Sequence, residues 1–159
     1  MTTETQDHVD YVRAIMIDHP FLKGVRLRFL PLLMEGATVV RAGADERIFR
    51  EGEQARHLYL LYKGRLALET FVPREGTTIV QTVEAGEAVG LSWLFPPCQW
   101  QFSARAIEPC ELVALDANNL REKAHENPEF GYDLLTRMAK LMWQRLQNTR
   151  RRLVELYVA

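Results

Sequence analysis

A mainly β fold with flanking α-helices is predicted by three observations on this 159-residue sequence. From Ala37 the hydrophobic period changes from helical to two. Glycines then recur at short intervals, at Gly43, Gly52, Gly64, Gly76, Gly86 and Gly90, as the tight turns of an antiparallel barrel or sandwich require. From Pro128 to the end only Gly131 interrupts a helical pattern, about 30 residues or roughly 45 Å at 1.5 Å per residue. With 47% hydrophobic residues the chain has enough apolar material for one domain with a real core. We divide it into a helical cap at 1–36, a β unit at 37–116 and C-terminal helices at 117–159.

Taken in order, residues 7–18 carry Val9, Val12 and Met16, with Tyr11 and Ile15 beside them, at the steps of an amphipathic helix. Asp18-His19-Pro20 should stop it. Leu27, Leu30, Leu33 and Met34 form a second helical piece, interrupted by Pro31 and closed by Gly36. In the β unit, Leu58, Leu60 and Tyr62 alternate with Tyr59 and Leu61, so that strand is apolar on both faces and interior. Leu66–Val72 and Thr77–Val83 should pair across the four-residue loop Pro73-Arg74-Glu75-Gly76. Strands at 102–106 and 111–115 follow, turned by Glu108-Pro109, and Asp116 should cap a helix over 117–125. Asn127-Pro128 supplies an N-cap followed by proline at the first helical position.

On that last helix Leu135, Met138, Met142, Leu146, Thr149, Leu153 and Leu156 recur at steps of 3, 4, 4, 3, 4 and 3, a coiled-coil-like stripe with one stutter. A monomer would leave the stripe in water, so a homodimer through this helix is expected. Leu134, Leu141 and Trp143 widen the stripe where the helix should also touch its own β unit.

A formal net charge of -1 provides no field favouring nucleic acid or an anionic membrane. No apolar run approaches the roughly 20 residues needed to span a bilayer, and the N-terminus lacks a signal pattern, so a cytoplasmic protein is expected. Cys98 and Cys110 lack metal or redox spacing and read as buried thiols. His8, His19, His57 and His125 lie on different elements without ligand spacing, which argues against a metal-dependent cupin enzyme. No nucleophile elbow, P-loop or other catalytic motif appears, and no enzyme is expected. Arg150-Arg151-Arg152 suits the C-terminal end of a helix macrodipole. With only seven residues after it, direct DNA binding is not expected.

Chemistry concentrates in Gly86–Ala106, where two glycines frame an apolar run, Pro96-Pro97 breaks it, and Trp93, Phe95, Trp100 and Phe102 put four aromatics into ten residues. This stretch, with Ile48-Phe49-Arg50-Glu51-Gly52-Glu53, His57 through Gly64, Gly86-Glu87-Ala88-Val89-Gly90 and Ala104 through Leu112, resembles the cyclic nucleotide-binding domain family, in particular the sensor half of catabolite activator and fumarate-nitrate regulators. The resemblance covers nearly the whole chain. It implies an antiparallel β-roll (a jelly-roll or cupin-like barrel) with short N-terminal helices and a long C-terminal dimerisation helix.

The resemblance also places a phosphate-binding cassette after Gly90, where backbone N–H groups of a short helix start would cradle a cyclic phosphate. Two side chains normally complete it, a glutamate directly after the glycine and an arginine farther on. Here Leu91 and Trp100 stand at those positions, with Gln101 where a small hydroxyl residue often sits. Losing these charge-assisted bonds, roughly 1.5 to 3 kcal/mol each, should weaken a nucleotide by about two to four decades. No cofactor is therefore predicted, and a cyclic nucleotide is disfavoured.

Arg105 fits a strand position outside the cassette and should form an ion pair instead. Thr149 matches a position where some relatives contact an adenine edge across the dimer. The candidate pocket is Gly90, Leu91, Ser92, Trp93, Phe95, Trp100, Gln101 and Thr149. Its aromatics have three readings: filler of a vestigial pocket, lining of an altered apolar pocket, or a patch for a protein partner at the Gly90–Phe102 surface. The expectation is a homodimeric regulatory module with a degenerate cassette. Its alternatives are a domain that still binds cyclic AMP or cyclic GMP and a ligand-free dimer scaffold.

Overall fold

A computed structural model describes residues 3–158. Helix α1 (Thr3–Asp18) buries Val12 and Met16 and ends at His19. The His19 Nδ1 accepts a hydrogen bond from the Phe21 backbone N–H at 3.2 Å, so the remaining ring nitrogen carries the proton. That Nε2–H donates to the Leu61 carbonyl at 2.7 Å and ties the cap to the sheet. Two 3-10 turns (Pro20–Leu22 and Leu27–Phe29) lead into the short helix α2 (Leu30–Met34), where Leu30 and Leu33 are buried.

Eight strands follow: β1 (Thr38–Ala42), β2 (Arg47–Phe49), β3 (His57–Lys63), β4 (Arg65–Val72), β5 (Gly76–Glu84), β6 (Ala88–Val89), β7 (Ser103–Ala106) and β8 (Cys110–Asp116). They form two four-stranded antiparallel sheets, ordered β1-β8-β3-β6 and β2-β7-β4-β5. The core fills the space between them and continues under the helices, where it takes in Met16, Leu30, Phe130 and Met138. Strand β3 contributes Leu58, Tyr59, Leu60 and Leu61 to it, as a strand apolar on both faces should.

The β4–β5 hairpin is tighter than its sequence suggests. Gly76 pairs with Val72, leaving a loop of Pro73, Arg74 and Glu75, with Arg74 at φ 73° and Gly76 at φ 80°. A bulge between Leu68 and Glu69 leaves Val80 without a partner in the ladder.

Asp116 caps helix α3 (Ala117–Glu126) by accepting from the Asn119 N–H at 2.9 Å. Asn127 caps the 31-residue helix α4 (Pro128–Val158) through Phe130. The first half of α4 packs on the domain: Phe130, Leu134, Met138 and Leu141 are buried, one face at steps of four and three. Met138, expected on the dimer stripe, is thus a core residue of its own chain at 1% exposure and is not available to a partner. Trp143, expected against the β unit, is instead 62% exposed, because it lies two residues past Leu141 and so on another side of the helix. Leu135, Met142, Leu146, Leu153 and Leu156 are exposed. Far along α4, Arg152 Nη1 donates to the carbonyl of the bulged Val80.

Candidate functional site

Strand β6 delivers the chain to Gly90 while paired with Tyr59 and Leu60 of β3. Gly90 sits at φ 119°, and a Cβ there would lie 2.7 Å from the His57 carbonyl and 3.0 Å from the Trp100 ring. Only glycine fits both the backbone conformation and the space. Leu91 then leads into a 3-10 turn of three residues, Ser92–Leu94, with no side-chain cap. One such turn aligns few peptide dipoles, which leaves a poor anion cradle.

The aromatics divide. Trp100 is 3% exposed. Its indole stacks on Phe49 with centroids 3.7 Å apart and planes 13° off parallel, and Tyr59 and Phe102 extend the cluster around Phe49. Backbone bonds hold it there: the Trp100 N–H donates to the Glu53 carbonyl at 2.9 Å, and the Gly52 N–H donates to the Trp100 carbonyl at 2.8 Å. The segment before it is tied to the same turn through Ala55 N–H to Cys98 carbonyl at 2.7 Å. Trp93 is buried as well and faces α3, where the Arg121 guanidinium lies 5.8 Å from its ring centroid. Both tryptophans are core filler, Phe102 is half-buried, and Phe95, at 59% exposure, is presented to solvent.

Of the predicted pocket residues, Leu91, Ser92, Phe95 and Gln101 converge on one groove of 340 Å³, closed by Pro96, Pro97 and Gln99 and by Met142 of α4. Its lining contains no charged side chain. Gly90 and Trp100 are not among its lining residues, and Trp93 lines a separate apolar cavity between α3 and α4. Thr149 is not among the groove residues, and its hydroxyl donates to the Arg145 carbonyl of its own helix at 3.0 Å.

Arg105 is engaged elsewhere. Its Nε donates to Glu69 at 2.6 Å and its Nη1 to Asp45 at 3.0 Å. Glu69 is buried, so the pair neutralises a carboxylate inside the sheet. Cys110 is buried, whereas Cys98, expected to be buried too, is half-buried with its thiol donating to the Trp93 carbonyl at 3.3 Å.

Three contributors escaped the sequence reading. Phe49 and Tyr59 form the floor under Trp100, a pairing that inward alternation on β2 and β3 could have suggested. Arg145 donates to the Ala88 carbonyl at 2.6 Å, two residues before Gly90, and burial pulls its guanidinium down to about 10, partly opposed by Glu87. An arginine on a long helix gives no local sign of such a contact. Among the described residues no three His, Cys, Asp or Glu side chains gather where they could hold a metal ion.

The sequence profile of the cyclic nucleotide-binding domain matches residues 39–127, more than half of the chain and all of the site just described except Met142, Arg145 and Thr149 of α4. The chain belongs to the cyclic nucleotide-binding domain family. Solved structures share its fold. A Geobacter metallireducens protein named for cyclic nucleotide binding aligns at 24% identity and a TM-score of 0.73, over 92% of this chain and 99% of its own. A cyclic nucleotide-binding domain from Methylobacillus flagellatus aligns at 18% identity and a TM-score of 0.80, over 93% and 85%. The sensor domain of the transcriptional regulator DNR from Pseudomonas aeruginosa aligns at 18% identity and a TM-score of 0.68, over 87% and 93%. A search of curated proteins finds no match. Within the family fold, this chain has an aromatic stack packed beside Gly90.

Proposed function

We propose that the chain is a non-enzymatic, homodimeric regulatory module whose nucleotide seat is filled by its own side chains. The signal would pass through α4, driven by an apolar ligand or protein partner on the groove beside Phe95. The observation that carries this reading is the Trp100 indole, stacked on Phe49 and pressed against Gly90 next to a groove without charge. A cyclic phosphate placed in that groove would meet no charged side chain in its lining, while Arg145 is spent on the Ala88 carbonyl, and burying an unpaired charge costs more than the roughly 1.5 to 3 kcal/mol that one charge-assisted bond returns. The regulatory reading rests on the family and on likeness to a sensor domain. Dimerisation is supported by the exposed apolar positions Leu146, Leu153 and Leu156 on α4.

Isothermal titration of the purified chain with cyclic AMP and with cyclic GMP tests the central point. No saturable heat at micromolar nucleotide is expected for either. Micromolar binding of one of them would return the chain to the ordinary nucleotide receptors. In that event Trp100 would have to swing off Phe49.

A further inference from the structure

On a face of α4 that the groove beside Phe95 does not use, a further cavity of 360 Å³ opens between the turn after α1, the Gly86–Ala88 bend and residues 137–144. Its volume falls in the range of small-molecule sites. It shares no lining residue with that groove. Three cations line it, Lys23, Arg137 and Lys140, against one carboxylate, Glu87.

Arg137 is held in place by its neighbours. Its Nη1 donates to the Phe21 and Lys23 carbonyls, both at 2.9 Å, and its Nε donates to Asp133 at 2.9 Å, which balances its charge. Glu87 accepts from the Glu84 backbone N–H at 3.3 Å and lies near enough to Arg145 to favour that cation. The ammonium groups of Lys23 and Lys140 have no ion pair or hydrogen-bond partner among the described residues. Two unpaired ammonium groups beside a guanidinium repel one another, and that repulsion falls when an anion enters. Phe21 and Leu141 supply apolar wall beside the cations.

We propose that this cavity binds a small organic anion, a carboxylate or a phosphate ester, through Lys23 and Lys140. Lys23 follows the turn after α1, and Lys140 lies on α4 five residues before the Arg145 that grips Ala88. An anion bridging them fastens the N-terminal cap to the helix expected to carry the signal. The site is independent of whether the groove beside Phe95 takes a ligand or a partner.

Isothermal titration with citrate and with glycerol 3-phosphate, against sodium chloride at matched ionic strength, provides the test. One saturable site per chain is expected for at least one of the two, and the probe that binds tells carboxylate from phosphate recognition. Replacing both lysines in Lys23→Gln/Lys140→Gln should weaken that binding by about tenfold or more, the loss of one or two charge-assisted bonds. Because both side chains are exposed, circular dichroism should show the variant folded. Absence of saturable heat with either anion, or undiminished binding by the folded double variant, would overturn the proposal.

Discussion

Gly90 shows how one missing methyl group decides the site. With φ at 119° and a Cβ position 2.7 Å from the His57 carbonyl, alanine there adds both backbone strain and a clash with a main-chain atom that cannot rotate away. Gly90→Ala should cost roughly 2 to 4 kcal/mol in urea unfolding. Gly52 is the control, since it also has a positive φ of 88° but nothing within 4 Å of the added Cβ. Its alanine variant should cost only about 1 kcal/mol, the strain alone. Equal losses at the two positions would mean that the contact among Gly90, His57 and Trp100 contributes nothing. The glycine itself is legible in the sequence. Its tryptophan neighbour is not, because Trp100 reaches it only after ten residues that include a 3-10 turn and the Pro96-Pro97 pair.

Helix α4 is two objects end to end. Through Leu141 its apolar face is consumed by its own domain, and beyond it the helix carries Leu146 and Leu153 into solvent at 62% and 53% exposure. Helical periodicity reveals the stripe but cannot assign an owner to each position, since the same 3.6-residue repeat serves a core and a seam. Met138 went to the core for that reason. The proposed dimer therefore rests on the second half, and Leu146→Glu/Leu153→Glu should turn a dimer into a monomer in sedimentation equilibrium at micromolar concentration. The β-roll should remain folded, since neither side chain reaches it. A wild-type chain that sediments as a monomer would remove the seam.

The cap is tied to the sheet at His19, and this makes the stability of the whole molecule depend on pH. Burial lowers the pKa of His19, opposed by its bond to the Leu61 carbonyl, and burial lowers that of His57 as well. Both histidines are ordinary, near 6.5, once the chain unfolds. Below that value the unfolded chain binds protons that the folded chain refuses, so stability is complete above about pH 6.5 and declines as pH falls through the histidine range. Glu111 is held low chiefly by its hydrogen bond from Arg41. Its contribution starts to be lost only near the ordinary carboxylate range of about 4.3, so the interval from about pH 5 to 6.5 isolates the histidines. Chemical unfolding across that interval should show a positive slope of stability with pH, and His19→Gln should flatten it. A slope unchanged by the substitution would assign the effect elsewhere.

What the sequence determined by itself was the order and kind of the elements, because turn glycines, period-two alternation and helix caps act over a few residues. The absence of charge after Gly90 was equally plain at Leu91 and Trp100. Only the tertiary structure decided that Trp93 and Trp100 fill space while Phe95 faces water, that Arg105 belongs to Glu69, and that Lys23 and Lys140 share a cavity. Those outcomes depend on which surfaces two sheets and a helix bring together, at sequence separations no local pattern encodes.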